Sequence, residues 1–354
     1  MKLLIVTQKV DRNDDNLGFF HTWIEKFSSS VEKLYVVCLA KGEYELPSNV
    51  EVYSMGKERG ASKIVELLKL EFYLWKHLSD VDGVFIHMAP MYAIASFPLV
   101  RLRKKRMILW YTHRSQNWKV SLAEKMVQRV LTASRESFRT KSKKVKILGH
   151  GVDTEMFQAR ARFSDDVFRI LYAGRISAIK DLETLVAAID ILSRTLCDTA
   201  FKVSILGRPL TPADVLYFKK MKEMIVRLGV EQYISFLGSV PHASIAPYYQ
   251  KHDILINLCP TGGMDKVVLE AMSCGMLVTV SNETFRDLMS IDAHTCFEAG
   301  NPRDLARKIV YFAGLSREKR QELGVRLRDV VVKKHNLDTL VRNIISEYNT
   351  SHIS

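Results

Sequence analysis

Leu171-Tyr172-Ala173-Gly174-Arg175-Ile176-Ser177-Ala178-Ile179-Lys180-Asp181 runs from a short apolar strand through a glycine turn into two cations and the opening of a helix. A glycine at the carboxyl end of a strand, followed at once by a helix, is how an open parallel α/β sheet borders its ligand crevice. Backbone N–H groups at a helix start and the forked guanidinium of Arg175 suit phosphate oxygens, and Lys180 adds a mobile point charge. An ordinary surface turn carrying two solvated cations has the same residues. The surroundings have to choose between the two.

Downstream the same rhythm repeats. Strands are expected at 168–172, 201–206, 233–237, 254–258 and 276–280, with helices at 181–193, 212–228, 244–249, 266–273, 302–312, 317–334 and 337–348. A second glycine-bearing strand end is Asn257-Leu258-Cys259-Pro260-Thr261-Gly262-Gly263-Met264-Asp265-Lys266-Val267-Val268-Leu269-Glu270-Ala271-Met272-Ser273-Cys274-Gly275. Gly262 and Gly263 permit close backbone approach to a ligand. Asp265 stands at a helix start, where negative charge is favourable with or without a function. Glu270, between Leu269 and Ala271-Met272, is expected on a buried helix face. A buried carboxylate needs partners, which ligand hydroxyls or an internal ion pair can supply.

Upstream, strands are expected at 3–7, 34–39, 50–53, 83–87, 106–111 and 130–133, and helices at 17–27 and 61–78. The second helix carries Ile64, Leu67, Leu68, Tyr73, Leu74, Trp75 and Leu78, a broad apolar face whose simplest use is packing on the sheet; docking on a membrane is the alternative. Residues 158–166 are polar and aperiodic, a linker profile. Two α/β domains are expected, at 1–155 and 165–335, with a closing helix in 336–354 that packs back on the first. A chain of 354 residues is long enough to bury both cores.

Five scattered cysteines, Cys38, Cys197, Cys259, Cys274 and Cys296, argue against a disulfide framework or zinc cluster and for a reducing, cytoplasmic setting. The carboxylates do not cluster as a metal centre requires, and no run of 18 apolar residues marks a spanning helix. No lysine-containing phosphate loop and no GxGxxG after the first strand are present. The net charge is +13. Through Glu155 there are 26 Lys and Arg against 17 Asp and Glu, including the blocks Arg101-Leu102-Arg103-Lys104-Lys105-Arg106 and Lys141, Lys143, Lys144, Lys146. Such patches attract phosphate-bearing partners, anionic lipid among them. Aromatic stacking positions are not interleaved with these blocks, which argues against a nucleic-acid partner.

Taken in order, Gly151-Val152-Asp153 with Phe157, Tyr172-Ala173-Gly174-Arg175 with Lys180, Ile205-Leu206-Gly207, Phe236-Leu237-Gly238-Ser239-Val240-Pro241-His242, and Leu269-Glu270-Ala271-Met272 with Gly275 resemble the donor half of the retaining glycosyltransferase family 4. The resemblance covers roughly 149–280. It implies a GT-B type fold, two Rossmann-like domains facing across a cleft, and a nucleoside-diphosphate sugar as donor with no further cofactor. It assigns Arg175 and Lys180 to the diphosphate, Glu270 to the ribose, and Gly174, Gly238, Val240, Gly262, Gly263, Met264, Asp265 and Lys266 to the donor site. In the first half, Gly18 matches a glycine near the donor phosphates and His113 the histidine that contacts the transferred sugar.

One departure bears on the sugar. The family pattern places a glutamate where this chain has Gly262, and Asp265 is the neighbouring carboxylate that could take its place. The expected activity is retaining transfer of a hexosyl group to the hydroxyl of a glycan, lipid-linked or small-molecule acceptor, in glycan or glycolipid synthesis. Placement is cytoplasmic, with peripheral contact to an anionic membrane surface left open. A nucleotide-sugar-binding protein without transfer activity, or an epimerase, are the alternatives.

Overall fold

The computed structural model describes residues 1–15, 17–113, 115–140, 142–159, 167–196, 200–260 and 263–349. Lys141, residues 160–166 of the expected linker, Cys197 and Gly262 therefore lie outside the described residues. Two compact units are present: Met1–Gly151 with Pro241–Ala243 and Asn336–Ser354, and Val152–Val240 with Ser244–His335.

In the first unit, runs of Leu, Ile, Val and Phe form β1 (Lys2–Val10), β2 (Lys33–Lys41), β3 (Val50–Ser54), β4 (Gly83–His87), β5 (Arg106–Trp110), β6 (Arg129–Thr132) and β7 (Val145–Ile147). They make one parallel sheet in the order β3-β2-β1-β4-β5-β6-β7. Ile5 of β1 lies between Val36 and Phe85, and Leu3 and Ile5 join one core while Leu4 and Val6 join the other, so the central strand is apolar on both faces. The helices are α1 (Phe19–Ser28), α2 (Lys63–His77), α3 (Pro90–Leu102) and α4 (Trp118–Met126). One core joins α1 through Phe20, Trp23, Ile24 and Phe27 to Leu3, Ile5, Phe85 and Trp110. The other joins Leu70 and Leu74 of α2, Val100 of α3 and Val120 of α4 to Leu4, Val6 and Ile86.

β7, α3 and α4 carry no clear period in the sequence. α3 is apolar nearly all round, with Pro98 inside it, and β7 is three residues long. The broad apolar face of α2 is used differently from the simplest expectation: Leu70, Leu74 and His77 alone are buried along the helix, while Ile64, Leu67, Leu68, Phe72 and Trp75 are exposed. At 3.6 residues per turn Leu70, Leu74 and His77 already fill the stripe that reaches the sheet.

In the second unit, β8 (Phe168–Ala173), β9 (Phe201–Leu206), β10 (Ile234–Gly238), β11 (Ile254–Asn257) and β12 (Leu277–Val280) form a parallel sheet in the order β10-β9-β8-β11-β12. The helices are α5 (Leu182–Thr195), α6 (Pro212–Leu228), α7 (Ala246–Lys251), α8 (Lys266–Ser273), α9 (Pro302–Gly314) and α10 (Arg317–Lys334). Strand order reverses between β8 and β11, which in an open α/β sheet is where loops leaving adjacent strands part and ligands bind.

α8 is clamped from behind by α10. Gly324 comes so close that a Cβ there would stand 2.2 Å from the Gly275 carbonyl oxygen, and Arg328 donates to the carbonyls of Phe157, Thr154 and Ser273. Gly275 itself ends α8 at φ +66°, a left-handed conformation that favours glycine.

The last helix, α11 (Leu337–Asn349), belongs to the first unit. Leu337, Leu340, Val341 and Ile344 join the α1 core, Lys26 pairs with Asp338 at 3.2 Å, and Lys146 with the buried Glu347 at 2.5 Å. Gly151 is where Leu337 and Leu340 press on the chain, leaving no space for a side chain.

Candidate functional site

Three neighbouring strands of the second unit end in glycines with positive φ: Gly174 after β8 at +151°, Gly207 after β9 at +147° and Gly238 closing β10 at +72°. The ends are tied edge to edge, with the Gly174 amide donating to Leu206 and the Gly207 amide to Gly238. A Cβ on Gly207 would lie 1.9 Å from the Gly174 oxygen, so the backbone there is free of side chains by necessity.

From this rim Tyr172, almost wholly buried, turns its hydroxyl back to donate to the Arg175 carbonyl at 2.8 Å and so fixes the turn. Arg175 leans toward Ser177 at 3.3 Å and toward Asp214 at 3.9 Å, the acid of the capping box that opens α6. Between Arg175 and α5 the chain makes a short turn, Ala178–Lys180, and passes Asp181 in left-handed conformation. The first α5 amide, at Leu182, donates to the Tyr217 hydroxyl, so it is engaged within the protein.

Lys180 crosses the switch point. Its ammonium lies 3.0 Å from Asp265 Oδ2, and the Asn257 side-chain amide donates to the same oxygen at 2.8 Å. Burial by itself lowers the Lys180 pKa, but the opposed charge of Asp265 and the neighbouring Cys259 together hold it above the ordinary lysine value. Asp265 is the N-cap residue of α8 yet makes no side-chain cap hydrogen bond. Its carboxylate is directed at the two residues that arrive from β8 and β11.

Along α8, Lys266 is partly buried and its pKa is pushed down to about 7 by desolvation, which the charge of Glu270 one turn on only partly offsets. Glu270 is buried and accepts from the Tyr249 hydroxyl of α7 at 2.9 Å. Burial, with Glu270 beside it, drives the Tyr249 pKa far above its ordinary value, so that hydroxyl stays a donor. Gly263 offers its carbonyl to Asn282 at 3.1 Å. Val240 and Met264 are partly buried against the core of this unit.

The second unit thus brings together Gly174, Arg175, Lys180, Gly263, Asp265, Lys266 and Glu270 around the ends of β8 and β11, with Gly238 and Val240 at the end of β10. Gly18 and His113 belong to the first unit. Gly18 precedes α1, its amide donates to Asp14 at 3.0 Å, and a Cβ would meet that carbonyl at 2.5 Å. The His113 ring nitrogen Nδ1 accepts from the Ser115 amide at 3.0 Å, just past β5. At that sheet's own switch point, between β1 and β4, buried His87 meets Thr7 at 3.1 Å under the stacked ring of Phe20.

Sequence reasoning passed over Asn257, Ser281, Tyr249 and Asp214. Asn257 Oδ1 and Ser281 Oγ, at the ends of adjacent strands β11 and β12, are buried and have no hydrogen-bond partner among the described residues. The available signal was an amide ending an otherwise apolar strand, Ile254-Leu255-Ile256-Asn257. Among the described residues no group of three His, Cys, Asp or Glu is placed to hold a metal ion.

The chain superposes along 99% of its length on solved structures with paired Rossmann-like lobes. These include the Anabaena protein HepE in complex with UDP (TM-score 0.76, 15% identity, 100% of that chain) and with UDP-glucose (TM-score 0.75, 16% identity, 99% of that chain). Another is sucrose-phosphate synthase from Thermosynechococcus elongatus (TM-score 0.78, 13% identity, 98% of that chain). The fold is GT-B. Within this GT-B chain, residues 167–313, which hold the switch-point site, match the family described as glycosyl transferases group 1.

Two curated proteins share sequence with it. A phosphatidylinositol N-acetylglucosaminyltransferase subunit of Arabidopsis thaliana is 31% identical over 139 residues, 39% of this chain and 29% of that protein. Mannosylfructose-phosphate synthase of Agrobacterium fabrum is 21% identical over 173 residues, 46% of this chain and 38% of that protein. The matched part is thus about a third of the length of either relative.

Proposed function

We propose that this protein is a retaining glycosyltransferase of family 4, moving a sugar from a nucleoside-diphosphate donor to an acceptor hydroxyl. The observation that carries the reading is the network at the second unit's switch point, where Lys180, Asp265 and Asn257 converge beside Arg175 and the start of α8. Each cation is parked on a carboxylate, Arg175 near Asp214 and Lys180 on Asp265. A diphosphate arriving there exchanges these contacts for stronger charge-assisted ones.

Negative charge grows on the departing diphosphate as the glycosidic bond breaks. Arg175, Lys180 and the amide end of α8 oppose that charge from fixed positions, which is where such a site gains its rate. Glu270, already held by Tyr249, keeps acceptor capacity for ribose hydroxyls. Asn257 Oδ1 is a buried acceptor for a sugar hydroxyl, and Ser281 Oγ a buried hydroxyl able to donate to a sugar or phosphate oxygen. His113 is proposed to position the sugar, and Gly18 to border the donor. The UDP and UDP-glucose held by HepE make UDP-sugars the first donors to try. A glycan, lipid-linked or small-molecule acceptor and a cytoplasmic placement complete the proposal.

The test is a thermal-shift screen of nucleotide sugars on the intact chain, followed by anomeric analysis of the product by NMR. Arg175→Ala and Lys180→Ala are each expected to weaken donor binding roughly 10- to 100-fold, the loss of one charge-assisted contact. Unchanged binding and turnover in both folded variants rejects the diphosphate assignment. Donor binding with no transfer across a broad acceptor panel leaves the binding protein in place of the enzyme.

A further inference from the structure

α2 has two apolar faces and the sheet covers one. Ile64, Leu68, Phe72 and Trp75 recur at spacings of three and four, so they share a single stripe that turns away from Leu70 and Leu74. Ile64 is 73% exposed, Leu68 64%, Phe72 55% and Trp75 61%, with Leu67 beside them. Contiguous exposure of large side chains at this level marks an interaction surface.

Charge says what covers it. α2 packs alongside α3, and α3 ends in Arg101-Leu102-Arg103-Lys104-Lys105-Arg106. Residues 83–123 hold seven Lys and Arg and no Asp or Glu. In that turn Leu102 is 74% exposed between two arginines, and Lys104 is held in left-handed conformation at φ +51°. Beneath the turn lies a pocket of about 430 Å³ whose wall includes Arg101, Lys104, Lys105 and Arg106, with Asp82 as its one carboxylate. Asp82 stands in the short connection that leaves α2, so the pocket opens where α2 and α3 both finish. Lys63, Lys69 and Lys76 flank the stripe, against Glu66 and Glu71. Burial raises the Glu71 carboxyl above its ordinary value, lessening its opposition to an anionic surface.

Two lysines of the other basic block are engaged within the protein. Lys144 donates to the carbonyls of Glu124, Lys125 and Val127 that end α4, and Lys146 pairs with Glu347. The 101–106 turn is a dense positive feature beside the exposed stripe.

We infer that the first unit docks on an anionic lipid bilayer, the outer stripe of α2 lying in the interface and the Arg101 to Arg106 turn taking lipid phosphates into its pocket. An amphipathic helix with aromatic residues on one side and a neighbouring basic cluster binds in this way by apolar burial and headgroup attraction together. The inference goes beyond glycosyl transfer and is read without donor or acceptor, so either can fail alone.

The experiment is co-sedimentation of the full chain with vesicles of phosphatidylcholine, with and without phosphatidylglycerol, at low and high salt. Binding to the phosphatidylglycerol vesicles is expected, falling about tenfold or more without the anionic lipid or at high salt. Leu68→Glu with Phe72→Glu, and separately Lys104→Glu with Lys105→Glu, are each expected to lose about tenfold while circular dichroism is unchanged, since these side chains are exposed or line the surface turn. A vesicle-induced blue shift of tryptophan emission is expected to diminish in Trp75→Phe. Failure to sediment, or sedimentation that neither double variant alters, overturns the inference. So does either alternative occupant: inorganic phosphate bound at the turn with no vesicle binding, or dimers of this chain abolished by Leu68→Glu with Phe72→Glu and no vesicle binding.

Discussion

Lys266 is the residue where stability and function pull apart. Its ammonium stands at the amide end of α8, where the helix dipole disfavours positive charge, and burial brings its pKa to about 7. The unfolded chain holds this proton up to the ordinary lysine value near 10.5. Between about 7 and 10.5 the unfolded state therefore binds more protons, and the residue's cost to stability shrinks as pH rises through that window. Lys266→Met is expected to raise the melting temperature at pH 7, with the gain narrowing toward pH 10; calorimetry across that range checks it. A bound diphosphate would restore the proton, so the same variant should bind donor roughly tenfold more weakly. Equal melting temperatures at pH 7 would remove the argument. The nature of this residue was legible in the sequence, but its pKa was not, because desolvation depends on what the fold packs around the helix start.

At the scale of elements, α8 is aimed by the seam behind it. Glycine inside a helix ordinarily costs about 1 kcal/mol relative to alanine. Gly324 sits in the middle of α10, and a Cβ there would overlap the Gly275 carbonyl at 2.2 Å, a contact with backbone that cannot rotate away. Overpacking of this kind costs about 1–3 kcal/mol and outweighs the propensity gain. Gly324→Ala is expected to lower the melting temperature by a few degrees, read by thermal unfolding, and a rise would show that the seam yields. The seam was invisible in sequence because it joins residues far apart in the chain. The bounds of α6, α8 and α10 were legible to the residue, whereas β7 and the nearly all-apolar α3 gave no period to read.

At the scale of the whole molecule, the chain returns to its first unit after completing its second. α11 buries Leu337, Leu340, Val341 and Ile344 in the α1 core. At about 1.5–3 kcal/mol for each fully buried side chain, those four contribute about 6–12 kcal/mol, comparable with the net stability of a domain. A fragment ending at Gly151 is therefore expected to stay unfolded, and one spanning 152–335 to fold cooperatively, as judged by circular dichroism and limited proteolysis. A stable, cooperatively folding 1–151 fragment would show that α11 is dispensable.

The sequence by itself determined the α/β alternation, the two glycine-bearing strand ends and the cations that follow the first, because strand and helix periods and turn chemistry are local. Tertiary structure decided which partners those residues meet. Lys180 and Asp265 are 85 positions apart and touch only because strand order reverses between β8 and β11. It also decided that the second apolar face of α2 stays uncovered, since a helix on a sheet buries one stripe and the sheet had no second surface to offer.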